Sequence, residues 1–376
     1  MNQRVDVAVV GGGILGLAFA WEAARRGKSV ALFERGAIAS GASIRNFGMV
    51  WPIGQVPGAD YERALRSRER WLELKRDAGV WADECGSLHV AHADDEDAVL
   101  REFATGNPSV ACEYLTAAET LQRFPPVNPM GLRGALHSPT ELAVNPPAAI
   151  ARIPHFLAEK YGVSLHFNNT VVGIEAPQLR TAGGETYSAA QIFVCSGVDF
   201  ETLFPSVFAA SGIRRCKLQM MKTASQPGGW RMGPHLAGGL TLCHYKAFEA
   251  CPSLAWVKRR VAETMPEYVR YGIHVMASQN DRGEVVIGDS HEYDADISIF
   301  DKAEVDTLIL DYLRKIVRLP SGGISTRWHG LYAKHPTKLV VYDEPQPGCV
   351  IAAAPGGAGM TLSFGFARDW WEEHDA

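Results

Sequence analysis

The sequence predicts an α/β fold, and three neighbouring stretches near the N-terminus carry that prediction. Residues 5–10 are a short apolar run rich in β-branched side chains, which is typical of a strand buried on both faces of a parallel sheet. Residues 14–26 have the apolar spacing of a helix, and Gly27 stands where a helix commonly ends. Residues 29–33 have the pattern of a second buried strand. Strand, helix and strand in this order predict a βαβ unit.

The turn between the first strand and the helix predicts what this unit binds. Residues 11–16 match the pattern G-x-G-x-x-G. Glycines at these positions allow a tight turn and the close approach of a pyrophosphate to the N-terminus of the helix. Glu34 ends the second strand, where a carboxylate accepts hydrogen bonds from a ribose 2′-hydroxyl and repels a 2′-phosphate. The spacing therefore predicts a Rossmann-like dinucleotide-binding domain and disfavours NADP; the alternative is a purely structural glycine turn.

Two further stretches are consistent with a flat ligand that lies against backbone. Residues 41–48 form a loop of small residues that contains one Arg and one Asn. Residues 355–360 form a second glycine-rich loop, between an apolar run and a helix predicted over 362–371. A second glycine loop before a second helix provides another N-terminus that favours anions.

Taken together, these motifs resemble the family of FAD enzymes that includes D-amino-acid oxidase, glycine oxidase and sarcosine oxidase. The resemblance covers essentially the whole chain, with weaker matches at 169–174 and 195–197. It implies that Val171 holds the adenine edge through its backbone, and that Gly359 and Met360 offer N–H groups to the flavin pyrimidine. It also implies non-covalent FAD, because residues 327–332 contain no cysteine where some members attach the cofactor.

The cofactor-binding residues expected from the motifs and the resemblance are Gly11, Gly13, Ile14, Leu15, Gly16, Glu34, Arg35, Gly41, Ala42, Ser43, Asn46, Phe47, Gly48, Val171, Ser196, Gly197, Gly356, Gly357, Gly359, Met360 and Thr361.

The chain is predicted to alternate between two domains. The FAD-binding domain comprises residues 1–83, 141–213 and 325–376, and an interleaved α+β substrate domain on a mainly antiparallel sheet comprises residues 84–140 and 214–324. Residues 59–78 form a charged helix with a solvated face. Within the substrate domain, residues 273–278 and 285–288 are predicted to pair as a hairpin. Asp301 is predicted to cap the next helix, with Glu304 three residues on.

Composition restricts the class of partner and the cell compartment. Among 376 residues, 37 are Lys or Arg and 42 are Asp or Glu, so the net charge of −5 argues against nucleic acid as a partner. Seven scattered cysteines without a C-x-x-C pair argue against structural zinc and fit a reducing cytoplasm. No run approaches the roughly 20 apolar residues that span a bilayer.

The resemblance implies the reaction. A neutral amine gives a hydride from its α-carbon to flavin N5, the imine hydrolyses, and oxygen or another acceptor takes the electrons. No catalytic acid or base is assigned, and anion-binding groups are expected to hold the substrate. The pair Asp289 and His291 is not predicted to bind metal, because no third ligand follows in register. The substrate-binding candidates are Arg45, Asn46, His244, Tyr245, His291, Arg327 and Lys334.

Residues 229–235, 287–293 and 327–330 further resemble a bacterial subgroup linked to aminophosphonate breakdown. That resemblance implies an N-methylated or hydroxylated 2-aminoethylphosphonate as substrate. The alternative within the family is oxidation of glycine, sarcosine or a D-amino acid. The alternatives of another class are an NAD-dependent dehydrogenase and a non-catalytic dinucleotide-binding or RNA-modifying protein.

Overall fold

The computed structural model describes residues 3–294 and 297–374. The strands are β1 Gln3–Val10, β2 Val30–Glu34, β3 Met49–Val50, β4 Ala82–Asp83, β5 Ser87–Ala91, β6 Glu113–Thr116, β7 Gly134–Ser138, β8 Leu142–Val144, β9 Ser164–Phe167, β10 Val171–Glu175, β11 Gln178–Thr181, β12 Thr186–Val194, β13 Arg214–Ser225, β14 His235–Ala237, β15 Met276–Gln279, β16 Glu284–Gly288, β17 Glu292–Tyr293, β18 Ile324–Lys334, β19 Val341–Gln346 and β20 Cys349–Ala353. The helices are α1 Ile14–Arg25, α2 Ala59–Ala78, α3 Asp94–Gly106, α4 Ala117–Arg123, α5 Pro146–Tyr161, α6 Pro205–Ala210, α7 Gly239–His244, α8 Leu254–Thr264, α9 Pro266–Arg270, α10 Ala303–Ile316 and α11 Gly359–His374.

The first sheet has eight strands and carries the predicted βαβ unit. Its order is β10-β11-β12-β1-β2-β9, and β20 joins β12 and carries β19. The pairs β20–β12, β12–β1, β1–β2 and β2–β9 are parallel, whereas β10, β11 and β19 pair antiparallel. The parallel centre of this sheet confirms the predicted α/β, Rossmann-like class.

The side chains of β1 explain why that strand is apolar almost throughout. Val7 and Val9 belong to one buried cluster, and Ala8 and Val10 belong to another on the opposite face of the sheet. Successive side chains of a strand point to opposite faces, so both faces of this strand are covered. The helix α1 packs against α11, which places the two predicted glycine loops side by side.

The second sheet has nine strands and is mainly antiparallel, as predicted. Its order is β17-β13-β16-β15-β14-β5-β7-β6, and β18 pairs with β13. Only the pair β14–β5 is parallel among the described strands of this sheet. A small third sheet of order β3-β8-β4 lies beside these two.

The structure corrects the predicted return to the FAD-binding domain at residue 325. Strand β18 pairs with β13 from Ile324 to Lys334, so these residues belong to the second sheet. The chain rejoins the first sheet only with β19 and β20. No break is visible in the sequence at this point, because β18 is a long strand that ends close to the first sheet.

Two local predictions have opposite outcomes. The hairpin is confirmed, since β15 and β16 pair antiparallel around a turn in which Gly283 has φ +74°. The cap at Asp301 is wrong, because Lys302 is the N-cap of α10 and makes no side-chain cap. The Asp301 carboxylate lies 2.9 Å from the ammonium of Lys217 instead.

The helix predicted over residues 59–78 coincides with α2. Across residues 3–294 and 297–374, no helix combines the length and apolar character that a membrane span requires.

Candidate active site

A large cavity lies between the first and second sheets, and residues of both sheets line it. At one end it is lined by residues at the carboxyl ends of β1, β2 and β12, among them Gly11, Glu34 and Cys195. At the other end it is lined by residues of the second sheet, among them Met220 and Tyr332. The carboxyl edge of a parallel sheet is the usual place for a ligand in such folds.

The glycine turn after β1 forms a cradle that side chains would fill. Gly11 has φ +109°, and a Cβ atom there would lie 2.2 Å from the carbonyl oxygen of Cys195. A Cβ atom on Gly16 would lie 2.0 Å from the carbonyl oxygen of Gly11. Only glycine therefore permits this contact of turn, strand and helix, which is the backbone arrangement that a dinucleotide pyrophosphate requires.

The small-residue loop docks onto the start of α1. The Ile14 N–H donates a 2.9 Å hydrogen bond to the hydroxyl of Ser43. Asn46 shapes the same loop, since its amide donates to the carbonyls of Ala42 and Ser43 and its oxygen accepts from the Gly48 N–H. Asn46 lines the cavity, but its polar atoms serve the loop.

Glu34 is held by backbone on both sides. One carboxylate oxygen accepts a 2.9 Å hydrogen bond from the Gly12 N–H, and the other accepts one of 2.9 Å from the Gly36 N–H. The carboxylate is half-buried and lines the cavity next to the glycine turn. The position and charge fit the predicted contact with a ribose hydroxyl.

Most of the residues expected to bind the cofactor line this one cavity. They are Gly11, Gly13, Ile14, Leu15, Gly16, Glu34, Arg35, Gly41, Ala42, Ser43, Asn46, Phe47, Val171, Ser196, Gly197, Gly356, Gly357, Gly359 and Met360. The cavity thus runs past the N-termini of both α1 and α11, so the described residues fit an extended FAD molecule.

Two predicted cofactor residues lie outside this lining. Gly48 has φ +74°, and a Cβ atom there would lie 2.2 Å from the Val144 carbonyl oxygen, so its glycine serves a backbone contact. The Thr361 hydroxyl accepts a 2.9 Å hydrogen bond from the Trp51 N–H, and Thr361 lines a smaller neighbouring cavity. Both residues support the loops that line the large cavity.

The substrate end contains three histidines that come from distant parts of the chain. His244 ends α7, His274 precedes β15, and His291 lies between β16 and β17. The ring centroid of His244 lies 3.8 Å from that of His274 and 4.6 Å from that of His291. Asp289 lines the cavity beside them, and its N–H donates to the carbonyl of His274 at 2.9 Å.

Burial determines the charge of this cluster. It lowers the pKa of His291 to about 4 and the pKa values of His244 and His274 well below their usual value. The imidazoles are therefore neutral at pH 7. Burial also raises the pKa of Asp289 well above its usual value.

Arg45 and Tyr245, two of the substrate-binding candidates, line the same cavity. The guanidinium of Arg45 makes only a 3.4 Å hydrogen bond to the carbonyl of His329. The Tyr245 hydroxyl lies 3.6 Å from the sulfur of Met276. The Arg45 guanidinium is therefore a cation of this cavity that no carboxylate binds among the described residues.

The structure corrects the placement of Arg327 and Lys334. Arg327 is 55% exposed and forms a 2.7 Å ion pair with Asp306, away from the cavity lining. Lys334 is also outside the lining, although its charge acts on the three histidines and Asp289; its ammonium donates a 3.3 Å hydrogen bond to the Tyr293 hydroxyl, and burial lowers the pKa of Lys334. The sequence placed both near the site, but β18 lines the cavity only from Gly330 to Ala333, so Arg327 lies before this stretch and Lys334 after it.

Sequence reasoning missed several lining residues that the second sheet provides. They are Leu218, Met220, His274 and Tyr332. Leu218 and Met220 lie two residues apart on β13, so strand alternation was the signal that could have found them. His274 carried no such signal, because its neighbours in space are not its neighbours in sequence.

The comparisons with known proteins agree with this geometry. A glycine oxidase from Geobacillus kaustophilus (strain HTA426) is 30% identical over 52% of this chain and 55% of its own length, so the match spans about half of that relative. One of the subunits of an opine oxidase from Rhizobium meliloti is 24% identical over 96% of this chain and 91% of its own length.

The fold is shared with a solved structure of glycine oxidase from Geobacillus kaustophilus, with a TM-score of 0.77, 21% identity, and coverage of 98% of this chain and 94% of that one. The family model described as FAD dependent oxidoreductase matches residues 6–370. The chain therefore belongs to this family of FAD-dependent oxidoreductases.

Proposed function

We propose that the protein oxidises the C–N bond of a small amine that carries an anionic group, with an N-methylated or hydroxylated 2-aminoethylphosphonate as the favoured substrate. The observation that carries this proposal is the lining of one cavity by the glycine cradle, by Arg45 and by the three histidines. A cofactor and a small polar substrate can therefore meet within it.

When bound, FAD supplies the redox chemistry: the substrate carbon next to nitrogen gives up a hydride, and the resulting imine hydrolyses in water. The chain's own residues position the substrate. Arg45 offers a planar guanidinium to the anionic group. Leu218, Met220 and Tyr332 are buried and give this part of the wall an apolar surface, which keeps water from the reacting carbon.

The position of the sequence motifs supports a phosphonate substrate. The stretch 287–293, which resembles the aminophosphonate subgroup, contributes Asp289 and His291 to the substrate end. The stretch 327–330 contributes Gly330. His235, from the third stretch, is instead buried with its Nε2 3.1 Å from the carbonyl oxygen of Leu142, so that stretch supports the sheet.

A second candidate is the oxidation of glycine, sarcosine or a D-amino acid. Arg45 and Tyr245 line the same cavity, and an Arg together with a Tyr can hold a carboxylate. The names of the two relatives, a glycine oxidase and an opine oxidase, agree with a substrate of the amino-acid type.

Anaerobic flavin reduction separates these candidates. N-methyl-2-aminoethylphosphonate and its carboxylate counterpart N-methyl-β-alanine differ only in the anionic group, and sarcosine and glycine test the second candidate. We expect the phosphonate to bleach the flavin at the lowest concentration. Saturation by glycine or sarcosine, without reduction by any aminophosphonate, would contradict the proposal. Formaldehyde or ammonia in the products then distinguishes demethylation from deamination.

A further inference from the structure

We propose that His244, His274 and His291 form a binding site for one divalent transition-metal ion of the Zn²⁺ type at the substrate end of the cavity. Each histidine offers one ring nitrogen, and the three nitrogens all lie within 4.8 Å of one another. The sequence predicted no metal site because no third ligand stands in register with Asp289 and His291. The fold provides His244 and His274 from other elements.

The hydrogen bonding of His291 prepares it as a ligand. Its Nδ1 lies 2.9 Å from the carbonyl oxygen of Gly272. A carbonyl only accepts hydrogen bonds, so Nδ1 carries the proton of the neutral ring and Nε2 has a free lone pair. A histidine ligand that donates its other N–H to a backbone carbonyl is the usual arrangement around protein-bound metals.

His274 lies beside the carboxyl group of Asp289. Its Nε2 is 3.2 Å from Asp289 Oδ1, a buried oxygen that has no hydrogen-bond partner among the described residues. Its Nδ1 is buried and has no hydrogen-bond partner within the described part of the chain, although His274 is only 3% exposed. An unpartnered ring nitrogen costs free energy in a protein interior, and a metal ion would satisfy it. With a metal ion on Nδ1, the Nε2–H of this ligand would be free to donate to Asp289 Oδ1 after a small adjustment, and Asp289 would then orient the imidazole from its far side.

The geometry suits an open metal site. Nitrogen ligands lie about 2.0–2.1 Å from Zn²⁺, so nitrogens within 4.8 Å of one another need only a small side-chain rotation to converge. All three histidines line the cavity, and His244 is half-buried there. Three protein ligands with a remaining position toward a cavity are typical of metal sites that bind a substrate.

The role of the ion rests on the proposed function. Arg45 lines the cavity, and the Lys334 ammonium, outside the lining, donates to the Tyr293 hydroxyl and acts electrostatically on the three histidines and Asp289. Guanidinium and ammonium groups can only donate hydrogen bonds to a phosphonate dianion, which carries twice the charge of a carboxylate. A divalent ion held by the three imidazoles adds positive charge at this end and a coordination position for a phosphonate oxygen.

Metal analysis of the tag-free holoenzyme tests the site. The protein is stripped with a chelator, its FAD content is checked by absorbance, and it is then dialysed against Zn²⁺ or Co²⁺. We expect about one ion per chain by elemental analysis, and Co²⁺ absorption bands above the flavin region. The variants H244Q and H291Q should lose both signals, whereas H155Q, which removes an exposed histidine of α5, should retain them.

The outcomes separate this proposal from the proposed function. Metal content in H244Q and H291Q equal to that of H155Q would overturn the metal site. Full phosphonate-dependent flavin reduction in stripped enzyme would overturn the role of the ion in holding the phosphonate. A metal site that depends on these histidines, in a protein whose flavin no aminophosphonate reduces, would support the site and contradict the phosphonate substrate. Loss of reduction by N-methyl-2-aminoethylphosphonate on stripping, with its return on adding Zn²⁺, would support both.

Discussion

The two ends of the cavity differ in what forms their walls: backbone at one end and side chains at the other. At the coenzyme end the wall is backbone from residues 11–16 and 34–36, where the absence of side chains creates the space. At the substrate end the wall is side chains from α7, β13, β18 and the loops around β15 and β16. FAD binding at the coenzyme end should therefore be weakened by substitutions that add atoms. Substrate binding at the other end should be weakened by substitutions that remove polar groups.

The largest effect is expected from adding a side chain to the glycine cradle. In Gly16→Val the new Cβ atom would lie 2.0 Å from the Gly11 carbonyl oxygen. Strand and helix must move apart, which costs about 3 kcal/mol or more and weakens FAD binding by about 100-fold. Cofactor content by absorbance and FAD titration of the stripped protein measure the loss.

Gly106→Val is the matched control, because Gly106 ends α3 outside the cavity lining and a Cβ atom there would meet nothing within 4 Å. Equal FAD retention in Gly16→Val and Gly106→Val would contradict the cradle.

A smaller loss is expected when the carboxylate at this end changes sign. Glu34→Lys removes the acceptor of the Gly12 and Gly36 N–H groups and places a cation near the predicted ribose. FAD should bind more weakly by about 1–3 kcal/mol, the range for a charge-assisted hydrogen bond. Glu175→Lys changes charge at an exposed position of β10 and should leave FAD affinity unchanged. Similar affinities in both variants would remove Glu34 from the cofactor site.

At the substrate end, the two candidate arginines should differ. Arg45→Ala removes a cavity guanidinium, and the Michaelis constant should rise by about 10- to 30-fold, since a charge-assisted bond contributes about 1.5–2 kcal/mol. Arg327→Ala should change it by less than about twofold, because Arg327 is exposed and paired with Asp306. Stopped-flow reduction across a substrate series measures both. A larger rise of the Michaelis constant in Arg327→Ala than in Arg45→Ala would show that the anionic group binds at β18 and not at Arg45.

The smallest effect concerns the free energy of unfolding at acidic pH, to which a buried histidine of the second sheet should contribute. Burial lowers the pKa of His89, on β5 of the second sheet, to about 3. The unfolded chain then binds the extra proton below pH 6.5, so stability is complete above that pH and falls as the pH decreases. The loss between pH 8 and 5.5 is about 1.4 kcal/mol for this histidine.

Urea unfolding at the two pH values measures this loss, which should disappear in His89→Leu. It should persist in His155→Gln, whose histidine is exposed. An unchanged pH dependence in His89→Leu would show that His89 does not contribute to it.

The βαβ part of the coenzyme end could be predicted from the sequence because it is local. The glycine turn, α1, β2 and Glu34 follow one another within residues 3–34, so spacing and residue type determine the geometry. The substrate end could not be derived in the same way. His274 meets His291 because β15 and β16 pair, and His244 reaches them from α7. Arg327 misses the cavity because β18 lines it only from Gly330 to Ala333.

One measurement tests most directly whether both ends serve a single reaction. The purified protein is made anaerobic, its spectrum is recorded, and N-methyl-2-aminoethylphosphonate is added. We predict a yellow protein whose flavin band near 450 nm is lost on addition of the amine, with Arg45→Ala requiring a higher amine concentration. A protein that retains FAD, but whose band no amine of the series changes, would contradict the account.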